Sequence, residues 1–324
     1  MSQPVPVLFR NHIIIEPTGD LSGFIVRSIV RHGIGRTYWL PIINKIYLFD
    51  ISLGSIISIQ VNYPTKTVKE CSMNNRFAGI DIGSRTIELV VVDEAGKIVR
   101  SLQADTGYAP MRTAEKLLNG ESFDRIMATG YGRNLFEVAF DASTVTEIKA
   151  YARGVRAFFP TALAILDIGG QDSKAIALSD AGKVRKFEMN DRCAAGTGKF
   201  LEIMAQALNY HLDSFGEAAL LSTKQLTINS MCTVFAESEV TTLITGGENR
   251  NDIAHGLHVA VVQRAANMLR RVWTGGPVVF AGGVARNTCI LHLLEENIGQ
   301  KVFVPEDPQM VGALGAALLV SDDV

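Results

Sequence analysis

One pattern occurs twice in the sequence, and this repeat restricts the possible folds more than any other feature. An Asp-Ile-Gly triplet follows an apolar run at residues 81–83 and again at residues 167–169. In each copy the aspartate lies 15 positions before a turn glycine, from Asp81 to Gly96 and from Asp167 to Gly182. Both copies read as strand, tight turn, strand, tight turn, strand. Because helical patterns follow each meander, the repeat predicts two similar α/β domains that face one another.

Helical spacing of apolar residues indicates where these domains carry their helices. We predict helices over residues 110–118, 146–158, 197–208, 233–244, 252–273 and 311–319. A short apolar run at 278–280 predicts one more buried strand, and two glycines, Gly282 and Gly283, follow it. All of these elements lie after Met73.

Residues 1–72 differ from the rest of the chain. They are rich in Ile and Val, show no clear period and contain no recognisable motif. Met73 opens the segment that runs into the first predicted strand. Two interpretations stay open: Met73 is the natural start and the preceding residues are an artefact of the gene model, or residues 1–72 form a small β-rich extension that packs on the body.

Composition and charge argue against several classes of protein. The 324 residues include 31 basic and 33 acidic side chains, so a net charge of −2 gives no bulk attraction to nucleic acid or to an anionic membrane. The N-terminus lacks a secretory signal pattern, and Lys45 and Asp50 interrupt the most apolar stretch. We therefore expect a cytoplasmic protein with no nucleic-acid partner and no membrane span.

The glycines after the strands predict a site for phosphate groups. Without a Cβ, the backbone of such a turn can approach a phosphate closely, and its N–H groups bind the anion. Asp81 or Asp167 precedes each of the first two turns, and a carboxylate beside a phosphate suits Mg²⁺ that is held through water. The predicted phosphate contacts are Gly83, Ser84, Thr86, Gly169, Gly170, Gly282 and Gly283.

Hydrolysis of a nucleotide requires a residue that orients water toward the γ-phosphate. Gln171 follows the second glycine turn directly, and glutamine orients water in many GTPases. The catalytic candidates are therefore Asp81, Asp167 and Gln171. A structural interpretation, in which Gln171 only caps its turn, stays open.

Two of the four cysteines precede predicted helices. Cys193 lies before the helix predicted at 197–208, and Cys232 lies before the helix predicted at 233–244. A helix N-terminus stabilises a thiolate and suits an anionic iron–sulfur cluster, but two thiols complete a four-thiolate site only at a symmetric interface between two chains. Free cysteines are more often small buried hydrophobes, and spacing alone favours that interpretation. Cys289 is predicted to lie in the core.

Several segments resemble one family of ATPases. Residues 79–84, 167–172, 189–199, 232–240, 282–287 and 312–317 resemble the activators of 2-hydroxyacyl-CoA dehydratases. The ATPase subunits of class I benzoyl-CoA reductases belong to the same family. The similarity covers about residues 76–320, and the segments around Cys193 and Cys232 distinguish this branch from other members of the fold.

This resemblance implies an α/β fold of the actin/hexokinase/Hsp70 type, with two ribonuclease H-like lobes and nucleotide in the cleft between them. The first lobe would span residues 73–160. The second lobe would span residues 161–324, carry the cluster ligands and the adenosine motif, and end in a helix that returns toward the first lobe. Residues 1–72 do not map onto the family.

The resemblance also implies an activity, cofactors and partners. ATP binding and hydrolysis to ADP, with Mg²⁺, would drive one low-potential electron from a [4Fe–4S] cluster into a partner acyl-CoA dehydratase or benzoyl-CoA-type reductase. Cys193 and Cys232 would bind the cluster, two ligands from each subunit of a homodimer, although a heteromeric assembly stays open. A ferredoxin or flavodoxin would supply the electron. The nucleotide contacts would extend to Glu237, Asn287 and Gly312.

Two other functions are compatible with the glycine turns. A sugar or N-acetylhexosamine kinase of the same fold would leave the two cysteines without a role, and Asp191 is the candidate for its base. A non-catalytic nucleotide-dependent scaffold is the other, but the sequence shows no additional substrate-binding domain or filament segment. Iron content separates the activator from both alternatives.

Overall fold

The chain divides into two compact units, Met1–Met73 and Asn74–Val324. The computed structural model describes residues 75–228 and 232–322, and the backbone of five strands in the first unit. Cys71 and the start predicted at Met73 lie outside the described residues. The first unit contains an antiparallel sheet of β1 (Ile13–Pro17), β2 (Gly23–Val30) and β3 (Gly33–Pro41), and an antiparallel pair of β4 (Lys45–Asp50) and β5 (Ser55–Gln60).

The second unit begins with a five-stranded sheet and its helices. Its elements are, in chain order, β6 (Phe77–Ile82), β7 (Thr86–Val92), β8 (Ile98–Asp105), α1 (Pro110–Leu118), β9 (Arg125–Thr129), α2 (Arg133–Phe140), β10 (Ser143–Thr144) and α3 (Glu147–Phe158). The strand order is β10-β9-β6-β7-β8. The central strand β6 is antiparallel to β7 and parallel to β9. We call this sheet with α1 and α2 the first lobe.

A second sheet of the same topology follows. Its elements are β11 (Ala164–Ile168), β12 (Ser173–Leu178), β13 (Val184–Asn190), α4 (Gly198–Ala207), α5 (Leu212–Leu220), α6 (Thr233–Thr245), α7 (Arg250–Val272), β14 (Val278–Ala281), a 3₁₀ turn (Gly283–Arg286), α8 (Thr288–Ile298), β15 (Val302–Phe303) and α9 (Val311–Asp322). The strand order β13-β12-β11-β14-β15 repeats that of the first sheet, with β11 antiparallel to β12 and parallel to β14. We call this sheet with α4 to α8 the second lobe.

The register shows that the two lobes are equivalent at their aspartates. Asp81 pairs with Glu88 on the antiparallel neighbour and with the last residue of β9 on the parallel neighbour. Asp167 pairs with Lys174 on the antiparallel neighbour and with the last residue of β14 on the parallel neighbour. The repeated meander in the sequence therefore corresponds to a repeated structural unit, and both aspartates lie at the same edge of their sheets.

The central strands are buried on both faces, which explains their long apolar runs. On one face of the first sheet, Phe77 packs with Leu314 of α9. On the opposite face, Ile80 packs in a cluster that includes Phe136 of α2. In the second sheet, the layer formed by α3 and the layer formed by α4, α5, α7 and α8 cover the two faces in the same way.

Helices α3 and α9 connect the two lobes through close backbone packing. A Cβ at Gly154 of α3 would overlap the carbonyl oxygen of Val311, and a Cβ at Gly315 of α9 would overlap the carbonyl oxygen of Ala150. Helix α9 also lies directly on β6, where a Cβ at Gly79 would overlap helix backbone. The last helix therefore packs against the first lobe. None of the helices in the described part of the chain is long and apolar enough to cross a bilayer.

Candidate functional site

A cleft of about 1240 Å³ is lined by residues from both lobes. The glycine turns of both meanders, the turn after β14 and the start of α8 all contribute to its walls. The predicted site residues that line the cleft are Asp81, Gly83, Ser84, Thr86, Asp167, Gly169, Gly170, Gln171, Gly282, Gly283 and Asn287.

The two glycine turns have the same backbone geometry. The Gly83 N–H donates to the carbonyl oxygen of Thr86 at 3.0 Å, and the Gly169 N–H donates to that of Asp172 at 3.0 Å. A Cβ at Gly83 would lie 2.6 Å from the Thr86 oxygen, and a Cβ at Gly169 would lie 2.8 Å from the Asp172 Oδ1, so neither turn has room for a side chain. Each turn therefore brings bare backbone to the wall of the cleft.

A second pair of equivalent glycines follows the parallel strands, and only Gly282 of this pair is predicted from the sequence. Gly282 follows β14 with a φ of +82°, and Gly130 follows β9 with a φ of +90°. A Cβ at Gly282 would overlap Oδ1 of Asp167, and a Cβ at Gly130 would overlap Oδ1 of Asp81. Gly130 was detectable in principle, because it follows a short strand as Gly282 does.

Asp81 lies between two glycines. Gly130 approaches Oδ1, and Gly312 at the start of α9 approaches Oδ2, where a Cβ would overlap the carboxylate. Gly312 is thus placed beneath Asp81 rather than in the lining of the cleft. Burial, followed by repulsion from Glu147 and Glu88, raises the pKa of Asp81 well above its ordinary value.

Asp167 belongs to an ion-pair network that the sequence did not reveal. Lys174 Nζ lies 2.6 Å from Glu147 Oε2, 2.7 Å from Asp172 Oδ2 and 3.2 Å from Asp167 Oδ2. Burial raises the pKa of Asp167 to about 6, against the attraction of Lys174. Burial alone would lower the pKa of Lys174, but the three carboxylates raise it above its ordinary value. One cation therefore joins α3, β11 and the second glycine turn.

The carboxylates fit a hydrated Mg²⁺. Asp167 Oδ1 is buried and has no hydrogen-bond partner, and Asp81 lies at the equivalent position of the other sheet. Both face a cleft whose turns present backbone N–H groups, and an Mg²⁺ that is bound chiefly through phosphate oxygens and water needs only such carboxylates. Among the described residues, no group of three or more His, Cys, Asp or Glu side chains is placed to hold a metal by itself.

Glu88 adds a buried carboxyl to the first-lobe side of the cleft. Its Oε1 accepts a hydrogen bond from Gln103 Nε2 at 3.0 Å. Burial raises the pKa of Glu88 to about 7, and Asp307 adds to this rise while Arg286 opposes it. The folded protein therefore binds a proton at Glu88 in a pH range where the unfolded chain does not.

This raised pKa predicts a pH-dependent stability. The contribution of Glu88 should be fully present below pH 4.5, its unfolded pKa, and should be lost as the pH rises through about 7. Glu88→Gln should remove a change on the order of 3 kcal/mol between pH 8 and pH 5. Thermal melts of nucleotide-free protein across this range test the expectation. Asp81 titrates in the same direction in both proteins, so a parallel pH profile for the two would contradict it.

The side chain of Asn287 is hydrogen-bonded to a buried histidine. Its Oδ1 accepts a hydrogen bond from the N–H of Ile290 at 3.0 Å and so caps α8. Its Nδ2 lies 3.0 Å from Nε2 of His258, whose Nδ1 lies 2.7 Å from the carbonyl oxygen of Ala254. Burial lowers the pKa of His258 to about 4, so the ring is neutral, donates from Nδ1 and accepts at Nε2. The amide of Asn287 is therefore fixed in one orientation at the cleft wall.

The remaining predicted phosphate contacts and Gln171 lie on the surface of the cleft. Ser84 and Gln171 are exposed, and Thr86 is half-buried. Gln309 Nε2 donates to Thr86 Oγ1 at 3.4 Å and closes the lining next to Gly283. These side chains can turn toward a ligand in the cleft without leaving a buried position.

Comparison with known proteins identifies the family. The BadF/BadG/BcrA/BcrD ATPase family matches residues 78–320. The chain belongs to this ATPase family. The resemblance inferred from the sequence is confirmed, and with it the two-lobed α/β fold of the actin/hexokinase type.

Two relatives and one solved structure illustrate the match. The activator of lactoyl-CoA dehydratase from Anaerotignum propionicum is 42% identical, over 74% of this chain and 95% of its own. The (R)-2-hydroxyglutaryl-CoA dehydratase activating ATPase from Acidaminococcus fermentans is 39% identical, over 74% and 95%. The structure of the activator of the 2-hydroxyisocaproyl-CoA dehydratase from Clostridium difficile with bound ADPNP has a TM-score of 0.71 at 37% identity, and covers 76% of this chain and 95% of that one.

In this ATPase the two predicted cluster cysteines lie outside the lining of the cleft, and both are exposed. Cys232 is the N-cap residue of α6. Cys193 is separated from Thr197, the N-cap of α4, by a turn, so Cys232 lies closer to a helix N-terminus than Cys193 does. Helices α4 and α6 contact each other within the second lobe.

Two other predictions concern residues away from the cleft. Glu237 is exposed on α6 and is not among the residues that line the cleft, so its nucleotide contact stays a prediction. Cys289 is fully buried, as the sequence analysis predicted, and burial raises the pKa of its thiol to about 12.

Proposed function

We propose that this ATPase is an electron-transfer activator. It binds and hydrolyses ATP in the cleft and passes one low-potential electron from a [4Fe–4S] cluster, shared across a homodimer, to a partner acyl-CoA dehydratase or reductase. The observation that carries this proposal is the presence of two exposed thiols that precede two contacting helices: Cys193 lies before the turn into α4, and Cys232 is the N-cap of α6.

The residues that line the cleft support the proposed binding and hydrolysis of ATP. The turns at Gly83 and Gly169 bind phosphate oxygens with backbone N–H groups. Asp81 and Asp167 would hold a hydrated Mg²⁺, and the ion would neutralise charge on the phosphates. Gln171, exposed beside the second turn, orients the attacking water.

The contrast among the cysteines supports the proposed cluster. Cys193 and Cys232 are exposed and accessible to a second chain, whereas the buried Cys289 keeps its proton. Two such thiols from each of two chains give the four thiolates of a cubane cluster at a two-fold axis. The cluster supplies the one-electron chemistry, and the protein supplies its thiolates and the coupling to nucleotide.

The proposed electron acceptor and electron donor rest on the similarity of this chain to known activators. The relatives reported above are named as activators of acyl-CoA dehydratases, so an enzyme of this class is the proposed electron acceptor. A ferredoxin or flavodoxin in the cytoplasm is the proposed donor. The sugar kinase alternative is not favoured, because the similarity to dehydratase activators extends over most of the chain from residue 78 onward.

Iron and sulfide analysis of protein purified without oxygen tests the proposal. We expect about four irons per dimer, with a visible absorbance that dithionite bleaches. Cys193→Ser and Cys232→Ser should each remove this iron and leave ADP binding intact, because neither residue lines the cleft. Cys289→Ser is the matched control and should keep its iron.

Two results would contradict the proposal. If the wild-type protein stays free of iron after careful reconstitution, Cys193 and Cys232 are structural residues. The sugar kinase alternative is then favoured. Equal loss of iron in all three cysteine variants, together with loss of ADP binding, would show that the substitutions act through misfolding.

A further inference from the structure

Arg85 connects the two glycine turns of the cleft. It follows Ser84 in the first turn, and its carbonyl oxygen accepts a hydrogen bond from the Thr106 N–H at 2.9 Å. Its Cβ passes close to the second turn, because a Cβ built on Gly170 would lie 3.0 Å from it. The side chain therefore crosses from the first glycine turn to the second lobe, close to the second glycine turn.

The far end of Arg85 is held by a carboxylate of the second lobe. Nη1 lies 3.0 Å from both Oε1 and Oε2 of Glu202, on α4. Lys199 Nζ lies 3.3 Å from the same carboxylate. Arg85, Lys199 and Glu202 all line the cleft, and the Arg85 side chain is 58% exposed.

The ion pair between Arg85 and Glu202 is weak enough for a phosphate to replace the carboxylate as the partner of the guanidinium. One guanidinium nitrogen serves both carboxylate oxygens, instead of the parallel two-nitrogen fork that makes arginine–carboxylate pairs strong. Exposed ion pairs contribute little to stability because water and salt screen them. A terminal phosphate between the two turns would offer the guanidinium three oxygens and more charge than Glu202 does.

We propose that Arg85 distinguishes ATP from ADP: Glu202 holds its guanidinium when no terminal phosphate is present, and the γ-phosphate takes the guanidinium from Glu202 when ATP is bound. This inference rests on the proposed nucleotide function of the cleft. The exchange releases α4 from the first lobe. Helix α4 is anchored to the second glycine turn, since the N–H groups of Gly198 and Lys199 donate to Gly169 and Gly170 at 2.9 and 2.8 Å. The released helix directly follows the segment that carries Cys193.

The test compares the affinities of two nucleotides for the nucleotide-free protein by calorimetry. The probes are Mg·ADP and the non-hydrolysable analogue Mg·ADPNP. Arg85→Gln should weaken ADPNP binding about tenfold and change ADP binding by less than about threefold. Glu202→Gln should have the opposite sign and strengthen ADPNP binding several-fold, because the competing carboxylate is gone.

The matched control is an ion pair of similar exposure away from the cleft. Arg100 and Glu121 have side chains that are 56% and 17% exposed, against 58% and 18% for Arg85 and Glu202. Arg100→Gln should leave both affinities unchanged. Equal weakening of ADP and ADPNP in Arg85→Gln, or no effect of Glu202→Gln, would overturn the inference and leave the nucleotide site in place. Failure of the wild type to bind either nucleotide would instead overturn the proposed function, and the inference with it.

Discussion

Lys174→Met is expected to lower the free energy of unfolding by about 3–5 kcal/mol, the usual cost of removing one partner from a buried ion-pair network. Lys174 is 3% exposed and lies within 3.2 Å of three carboxylates. Methionine keeps much of the volume of lysine but removes the charge. Asp167, which is 1% exposed, would then have no cation beside it and would have to take up a proton or draw in water.

The decrease in the free energy of unfolding caused by Lys174→Met should depend on pH. In the variant the pKa of Asp167 should rise further, because burial would no longer be opposed by the ammonium group. A carboxyl with a raised folded-state pKa regains stability as the pH falls, so the deficit of Lys174→Met should shrink between pH 8 and pH 5. Urea unfolding of nucleotide-free protein at both values measures this.

Lys301→Met is the matched control for Lys174→Met. Lys301 also forms an ion pair, at 2.8 Å from Glu295, but its side chain is 86% exposed. We expect a loss below about 1 kcal/mol with no pH dependence of this kind. Equal losses for the two variants would show that the three carboxylates do not depend on Lys174.

The parts of the site that the sequence predicted are those with local signals. Each Asp-Ile-Gly turn lies within one meander, so alternation, turn glycines and the 15-position spacing are sufficient to find it. The six predicted helices were located for the same reason, whereas α2 and α5 were not predicted. The helix predicted at 110–118 is α1, and the helix predicted at 311–319 is α9, which extends three residues further.

The parts that the sequence missed depend on contacts between distant segments. Lys174 lies on β12, and Glu147 lies 27 positions earlier, at the start of α3. No sequence periodicity links the two residues. Gly130 was missed because β9 has five residues and only its last three are buried. Arg85 was passed over because it lies in a turn, where a charged residue is expected to be solvated. Tertiary contact gives each of these residues its role.

The repeat nevertheless relates several of these residues to one another. Glu88 and Lys174 occupy equivalent positions, each paired across the sheet with the aspartate of its own lobe. One lobe therefore places a buried acid beside its aspartate and the other places a buried base. The two lobes therefore line the cleft with different charges. In the second lobe, Lys174 is a buried cation that forms ion pairs with three carboxylates.

Gly282→Ala is expected to lower the free energy of unfolding by about 2–6 kcal/mol, from overpacking combined with backbone strain at φ +82° and ψ 171°, a region that is essentially restricted to glycine. Gly282 has a φ of +82°, and its added Cβ would overlap Asp167 Oδ1 and lie 2.5 Å from the carbonyl oxygen of Ile168. A backbone oxygen in a central strand cannot move aside, so Asp167 would be displaced. We expect ADP affinity to fall, because Asp167 would no longer be placed to hold the hydrated Mg²⁺ that accompanies the nucleotide.

Gly247→Ala is a control for a substitution at positive φ that creates no steric overlap. Gly247 has the same φ of +82°, but nothing lies within 4 Å of its added Cβ. This control should lose only the backbone term, about 1–2 kcal/mol, and should bind ADP normally. Gly130→Ala, at the equivalent position of the first lobe, should reproduce the Gly282→Ala effect through Asp81. If Gly282→Ala binds ADP as well as Gly247→Ala does, the close approach of this glycine to Asp167 is not what positions the carboxylate for nucleotide.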